Sequence, residues 1–462
     1  MAALFAGSAQ VEITPELGVH LAGSVGEFRP ALDILDPIFA RAVVVEAGGK
    51  KLCILTLDVT IVCEVYTDYI RKQAKERFGL EPDAVMVHAT QTHSAPPLGH
   101  FMVDPDFPPL PDELEWLQGG DTKYNDWAAE RAIEAIGLAI ENLAPTEVGV
   151  GSGAEGRMAF NRRAVTRDGG IIMPWWHWDF GDIGPTHIRY IEGPIDPEVG
   201  VLCFRREDKS LPAVFVHHTC HPVHVFPKQL VSADWPGAVS AQMAQRWGAQ
   251  VVPVINGACG NINPWPPFDP DYVEDHNKMG ATLVKCASAV LDNLEFSSTA
   301  VVDWKVNRLQ LPLREVPAEE LTWAKEVLAR NPVPQMSEDR QRLTDPDWMT
   351  AASIYSVELA RQRNVLLEYE IQCLRIGDCA IVGLPGEPFV EGQLAIKLAS
   401  PAGQTYIAHC TSHYVGYVPT REALQRGGHE VNTRYWAKLQ PDALEQIVQA
   451  AGETLEALWQ TA

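Results

Sequence analysis

Short apolar runs recur along this chain, and several break off into clusters of His, Asn, Ser, Thr and Pro. Val85–Ala89 leads into Thr-Gln-Thr-His-Ser-Ala-Pro, and Val214–His217 into His-Thr-Cys-His-Pro-Val-His. Val252–Ile255 leads into Asn256-Gly-Ala-Cys-Gly-Asn-Ile-Asn-Pro264. Runs of this length fit strands buried on both faces of a helix-covered sheet. The loops beyond such strand ends are anchored yet open to ligand, which is where α/β enzymes place their chemistry.

Further periodicity fills in the pattern. Strands are expected at Arg41–Glu46 and Leu52–Leu57 around a Gly48-Gly49 turn, then at Asp83–Ala89, Glu147–Gly151, Val201–Arg205, Ala213–His217 and Gln250–Ile255. Later strands are expected at Val301–Leu313, Leu367–Ile376, Ala380–Leu384 and Gln404–His409. Helical spacing marks Val65–Arg77, Trp127–Leu143, Gly237–Trp247, Glu274–Leu294, Ala318–Ala329, Thr350–Gln362 and Asp442–Gln460. The fold class read from this is α/β, with mixed β-sheets flanked by helices. With no repeat, low-complexity tract or linker, residues 1–462 read as one catalytic domain with irregular, lid-like segments near 96–126 and 171–197. Those segments carry Trp116, Trp175, Trp176, His177 and Trp178, which either pack the loops down or face a ligand.

The net charge of −23 argues against a nucleic-acid partner and against stable docking on anionic membranes. The N-terminus shows no basic, then apolar, leader and passes into the strand-and-turn pattern Val11-Glu-Ile-Thr-Pro15, and no run is long enough to span a bilayer. Nine cysteines without any CxxC pair fit buried thiols in a reducing compartment. The chain therefore reads as cytoplasmic, acting on a small molecule, with a homo-oligomer left open.

Five polar clusters follow strands: Gln91/His93; Phe160-Asn161-Arg162; His217–His224 with Ser232-Ala233-Asp234; Asn256–Pro264; and Leu384-Pro-Gly-Glu387-Pro with Tyr414-Val-Gly-Tyr417-Val-Pro-Thr-Arg421. Four of the 14 histidines fall between His217 and His224, a density that suits metal or acid–base work. The spacing matches no HExxH helix, so both roles stay open. His88 and His217, flanked by apolar residues, read as core histidines, and Glu387 by itself could be only a carboxylate at a helix start.

Taken in order, these segments resemble the catalytic domain of the neutral ceramidases, zinc amidohydrolases that cleave the N-acyl bond of ceramide. The likeness runs from Ala9-Gln-Val-Glu-Ile-Thr-Pro15 to about Arg434 and looks like the shorter bacterial branch, with no counterpart of the family's C-terminal immunoglobulin-like domain. The resemblance implies His221, Glu387 and Tyr417 as zinc ligands. It also implies Arg162 as a group holding the scissile carbonyl and His93 as a histidine hydrogen-bonded to reacting groups. Three positions depart from the family pattern. Gln91 stands where the first zinc histidine is expected, His429 where a tyrosine is, and Asn261 and Asn263 where Asp and Ser are. Gln91 then either cedes its place to His93 or His429, binds the metal weakly or reads the substrate itself with another metal or a changed reaction, or marks loss of the metal.

The expectation is a hydrolase of an amide-like C–N bond using Zn2+ or another divalent metal. His221, Glu387, Tyr417 and Gln91 are its candidate ligands, and His93, Arg162, His429 and Asn263 its candidate catalytic residues, with metal-activated water as nucleophile. The first alternative is a metal-assisted acid/base lyase or hydrolase on a sugar-like or aromatic substrate, using His93, His221, His224 and His429. The second is a non-catalytic binder.

Overall fold

The computed structural model describes residues 2–173, 187–267, 269, 271–339 and 342–460. Three sheets dominate it. The first contains β1 (Ala2–Glu12), β2 (Phe39–Ala47), β3 (Lys50–Leu57) and β4 (Val85–Ala89), in that spatial order. The second contains β5 (Glu147–Ala154), β6 (Glu198–Arg205), β7 (Ala213–His218) and β8 (Val254–Asn256). The third contains β9 (Val302–Pro312), β10 (Leu366–Ile376), β11 (Cys379–Gly383) and β12 (Gln404–Ala408).

Each sheet is built the same way. Long antiparallel strands come first, and a crossover then returns the chain to a short parallel edge strand. Helix α1 (Glu64–Phe78) lies in the crossover from β3 to β4. Helix α2 (Thr122–Glu141) packs on β1 and β2. Helix α3 (Asp234–Trp247) joins β7 to β8, and α4 (His276–Leu291) packs beside it. Helices α5 (Ala318–Arg330) and α6 (Asp347–Arg363) pair with each other, and α7 (Val390–Ala399) joins β11 to β12. A short α8 (Arg421–Arg426) and the long α9 (Ala443–Gln460) follow.

Side chains alternate across the strands as a period of two requires. Leu202, Phe204 and Phe215 point to a central core shared with Leu4, Val43, Ile54, Leu374 and Tyr406 of the other two sheets. Val201, Cys203, Val214 and Val216 point the other way, onto α3 and α4. Gly200 lets the second and third sheets approach closely, because a Cβ there would lie 2.3 Å from the Tyr406 ring. The Tyr406 hydroxyl donates to the Gly151 carbonyl at 2.7 Å, tying the third sheet to the second.

The three parallel edge strands meet one another. Ala89 N donates to Cys410 O, and His409 N donates to Asn256 O. His88 joins all three, with Nδ1 on the His409 carbonyl at 2.6 Å and Nε2 accepting from Asn256 N at 3.1 Å. His88 is thus a fully hydrogen-bonded core residue, as the sequence suggested. His217 is also buried, stacked on Tyr406 at 5.2 Å between ring centroids. Because the edge strands meet here, their C-terminal loops emerge on one side, in the geometry that forms ligand crevices in α/β folds.

Several elements differ from the sequence expectation. The N-terminal strand fills all of Ala2–Glu12 rather than beginning near Val11. Helix α2 starts earlier than Trp127 because the Asp121 side chain caps it, accepting from Tyr124 N at 2.8 Å. The Gln250–Ile255 run is a strand only at Val254–Asn256, since Pro253 has no N–H to give a ladder. Segment 96–126 is packed, with Phe101, Met102, Leu114 and Leu117 in the main core. Trp116 rests against His20 and Phe28, so it holds that segment down. Trp175, Trp176, His177 and Trp178 lie outside the described residues. Among the described residues, no helix is long and apolar enough to cross a membrane.

Candidate active site

Beyond the converging strand ends lies a cavity of about 620 Å3, with a smaller one of about 60 Å3 beneath the same side chains. The larger is lined by His93, Arg162, His221, Asn263, Tyr417 and His429, among others. The smaller adds Gln91, Glu387 and Tyr414. The residues of all five sequence-derived clusters, together with His429, therefore converge.

Local backbone bonding places each of them. His221 follows β7, and both its backbone N and its Nδ1 donate to the Ile262 carbonyl, at 3.1 and 3.0 Å. Glu387 follows β11 in a short parallel pairing, Glu387–Pro388 with Tyr417–Val418, which brings carboxylate and phenol side by side. Gly386 makes this possible, because a Cβ there would strike the Gly416 carbonyl at 2.3 Å and its φ is +69°. Arg162 follows a two-residue strand, Phe160–Asn161, paired with Ile262–Asn263.

His221 Nε2 lies 3.0 Å from Glu387 Oε2, and both groups are buried. Tyr414 donates its hydroxyl to the other carboxylate oxygen at 2.7 Å. Burial opposes ionisation of Glu387, but His221, Tyr414 and Arg162 together hold it well below the usual carboxylate range. With Nδ1 donating to the Ile262 carbonyl, a neutral His221 would turn the lone pair of Nε2 toward an ionised carboxylate. Two acceptors so close require a positive charge between or beside them, either a proton or a metal ion.

That donor chemistry fits a divalent cation. Among the described residues, no group of three or more His, Cys, Asp or Glu side chains is arranged to hold one. Any metal shell here would therefore draw on Tyr417 or the Gln91 amide oxygen beside His221 and Glu387. Gln91 holds a left-handed backbone, φ +69°, an unusual conformation for a long side chain. Its Oε1 accepts from the Cys259 thiol at 3.4 Å. Burial, and the nearby Glu387, push the Tyr417 phenol well above its ordinary pKa.

Around this pair stand the proton- and oxyanion-handling groups. The His93 ring meets His221 edge-on at 5.5 Å, and burial, reinforced by His221, holds it neutral. Arg162 stacks 5.5 Å from the Tyr417 ring, with Nε on Glu430 at 2.8 Å and Nη1 on Asn263 Oδ1 at 3.3 Å. Its Nη2 is buried without a hydrogen bond of normal geometry. His429 packs against Tyr417 at 5.6 Å and opens to the cavity. Asn261 instead serves structure, with Oδ1 accepting from Val390 N at the start of α7.

One expected member is absent. His224 faces Met279 and Tyr272 rather than the cavity, because the loop after His221 turns its side chain toward α4. The four-histidine acid/base set is thus reduced to His93, His221 and His429. Sequence reasoning missed Glu430 and Trp436. The only signal for Glu430 was its place after His429, and Trp436 carried none.

Three sheets, each ending in a parallel edge strand whose loop feeds a common His/Glu/Tyr/Arg cavity, define an α/β protein of the ceramidase type of fold. In particular, the chain superimposes on neutral ceramidase from Pseudomonas aeruginosa with a TM-score of 0.72 and 18% identity, over all of this chain and 75% of that one. A second structure, a ceramidase complexed with C2, gives 0.71 at 18% identity, over all of this chain and 76% of that one. No protein-family model matches the chain, and no curated protein matches it in sequence.

Proposed function

We propose that this protein hydrolyses an amide C–N bond in a small molecule, with a divalent metal, zinc by resemblance, held by His221, Glu387 and Tyr417. Gln91 would complete the shell, or His93 or His429 would after moving in toward it. The observation that carries this is the 3.0 Å approach of His221 Nε2 to Glu387 Oε2 beside a cavity of ligand size. When bound, such an ion supplies Lewis acidity, which lowers the pKa of water and polarises a carbonyl.

The chain's own groups supply the rest. Arg162, a cation lining the cavity beside Tyr417, would stabilise the oxygen that gains charge as water adds to the amide carbon. Asn263 and Glu430 fix the guanidinium so that no reorganisation is needed. His93 and His429 can carry the proton from the attacking water to the nitrogen as the C–N bond breaks, releasing a carboxylic acid and an amine. No serine stands at Asn263, so water is the simplest nucleophile.

The test is elemental analysis together with hydrolysis of a panel of small N-acyl compounds. His221→Ala and Glu387→Ala should lose metal and activity together. Full activity in either variant would overturn the proposal.

A further inference from the structure

The two cavities at the site share a boundary. His93, Tyr417, His429 and Trp436 line both, as do Gly23, Ser24 and Val25. Glu387 lines the smaller cavity and His221 the larger, so a bond held between this pair lies at the boundary itself. Beyond it the smaller cavity ends on Thr60, Ile61, Phe101 and Met102, all buried. The last three belong to the main core, so that wall cannot retreat without opening a void. At about 60 Å3 the smaller cavity holds about four water-sized groups. The larger, at about 620 Å3, has the size that takes a whole small-molecule ligand.

Part of this boundary is a loop, residues 22–28, that is held at its base. Leu21 N donates to Arg29 O at 2.8 Å, and Ala22 N to Ala95 O at 3.0 Å. Arg29 closes the loop through Nη1 on the Ala22 carbonyl, and its Nη2 donates to the His93 carbonyl, both at 3.0 Å. Gly23 lies directly on the His93 ring. A Cβ there would stand 2.5 Å from Nδ1, and its φ is +108°, so the position needs glycine. Two residues on, Val25 is 45% exposed. Tyr417 and Trp436, by contrast, are buried and joined through their backbones, with Tyr417 N donating to Trp436 O at 2.8 Å. Val25 is therefore the apolar side chain of the boundary whose size can change at least cost to the packing.

We propose that residues 23–25 form a size filter, with Val25 its deciding side chain. The substrate is then an amide with one compact side and one bulky side. The compact side, about four heavy atoms with the amide group included, enters the smaller cavity past Val25. The bulky side stays in the larger cavity, against Phe226 and Trp265. An amide with long chains on both sides of its C–N bond is excluded, because the core wall behind Glu387 leaves no room for the second chain. The substrate class rests on the amide-hydrolase reading, whereas the filter itself does not.

The experiment compares wild type with Val25→Ala and Val25→Phe, whose melting temperatures should stay close to wild type because the position is half-exposed. The first arm needs no turnover. Met102, on the far wall of the smaller cavity, is oxidised with hydrogen peroxide or with the bulkier tert-butyl hydroperoxide, and peptide mass spectrometry follows its sulfoxide. Rates are divided by those of free methionine. The bulky reagent should lag the small one by about tenfold in wild type, less in Val25→Ala and more in Val25→Phe. The second arm measures hydrolysis by metal-loaded protein of two amide series, one lengthened on the acyl side and one on the amine side. In one series kcat/KM should fall about tenfold once the compact side is outgrown, at a longer length in Val25→Ala and a shorter one in Val25→Phe. A Met102 ratio that neither substitution moves, or a length limit indifferent to position 25, overturns the proposal. A ratio that shifts while neither series is hydrolysed sustains the filter and counts against the amide-hydrolase reading instead.

Discussion

Arg162 donates through Nε to Glu430 Oε1 at 2.8 Å, and the second oxygen of that carboxylate accepts from Arg163 Nη1 at 2.7 Å. One buried carboxylate thus orients two neighbouring guanidinium groups whose side chains do different things. Arg163 turns back to Glu192 and the Gly427 carbonyl, while Arg162 faces the cavity. Burial would raise the Glu430 pKa, but Arg162 and then Arg163 bring it down to about 2.

Glu430→Gln removes the charge and leaves the buried Arg162 without its carboxylate, while Arg163 keeps Glu192. Breaking a buried pair in this way costs about 3–5 kcal/mol. The unfolding midpoint in urea should fall accordingly, and amide hydrolysis should drop with it, because Arg162 loses its fixed direction. The pH dependence gives a second readout. The stability from an ionised Glu430 is present above its ordinary pKa of 4.5 and is lost as pH falls toward 2. The variant should lack that acid-side loss, and unchanged stability at neutral pH would contradict the pairing.

A separate acid-side effect comes from His20. Burial, reinforced by Arg29, pushes its pKa from 6.5 down to about 3, and Nδ1 accepts from Arg29 N at 3.1 Å. Between those values the unfolded chain binds a proton that the folded chain refuses. Stability is therefore complete above pH 6.5 and falls by about 1.4 kcal/mol per pH unit below it. His20→Asn keeps an acceptor near Nδ1 but cannot titrate. Its stability against pH between 4 and 6 should be flatter than wild type by about that slope, read from urea midpoints. Parallel curves would show that His20 is not held neutral.

Tyr414 tests how Glu387 is positioned. Its hydroxyl donates to Oε1 of Glu387 at 2.7 Å, leaving Oε2 directed at His221. Tyr414→Phe keeps the ring packed edge-on against Phe101 at 5.1 Å and removes only this hydrogen bond. If Glu387 holds a metal as proposed, the affinity measured by chelator competition should weaken by about 10–100-fold, the usual effect of losing a partner to a ligating group. Thermal stability should change much less. Unaltered affinity would mean that Glu387 needs no such support.

The comparison of sequence and structure separates two kinds of information. Gln91, His93, His221, Glu387 and Tyr417 lie in polar clusters beyond apolar runs, which are legible from the sequence pattern, and it was the family resemblance that singled them out within those clusters. His224 misled because nearness in the chain is not nearness in space; three residues past His221, it points at Met279. Glu430 was invisible because its partner Arg162 lies 268 positions away. The threefold recurrence of antiparallel strands, crossover and parallel edge strand escaped notice for a related reason. It is a repetition of pairing pattern, which three different sequences satisfy with different residues. His88, correctly read as core, proved to be the point where those three units join.

Gln91 remains the most informative single position. It lines the small cavity with Glu387, Tyr414 and Tyr417, in a left-handed conformation that His tolerates better than most long side chains. Its amide oxygen already accepts from the Cys259 thiol, which burial keeps protonated. An amide so engaged is a weak metal donor, whereas an imidazole there would bring a strong one. If the site takes zinc as proposed, Gln91→His should therefore tighten its binding by about tenfold or more, measured by chelator competition. Hydrolysis should respond independently, because a more firmly held metal need not match a cavity shaped around the glutamine. Tighter zinc with reduced turnover would place Gln91 among the groups that tune this site to its own substrate. Unchanged zinc affinity would place position 91 outside the metal's reach and leave His93 or His429 to complete the shell.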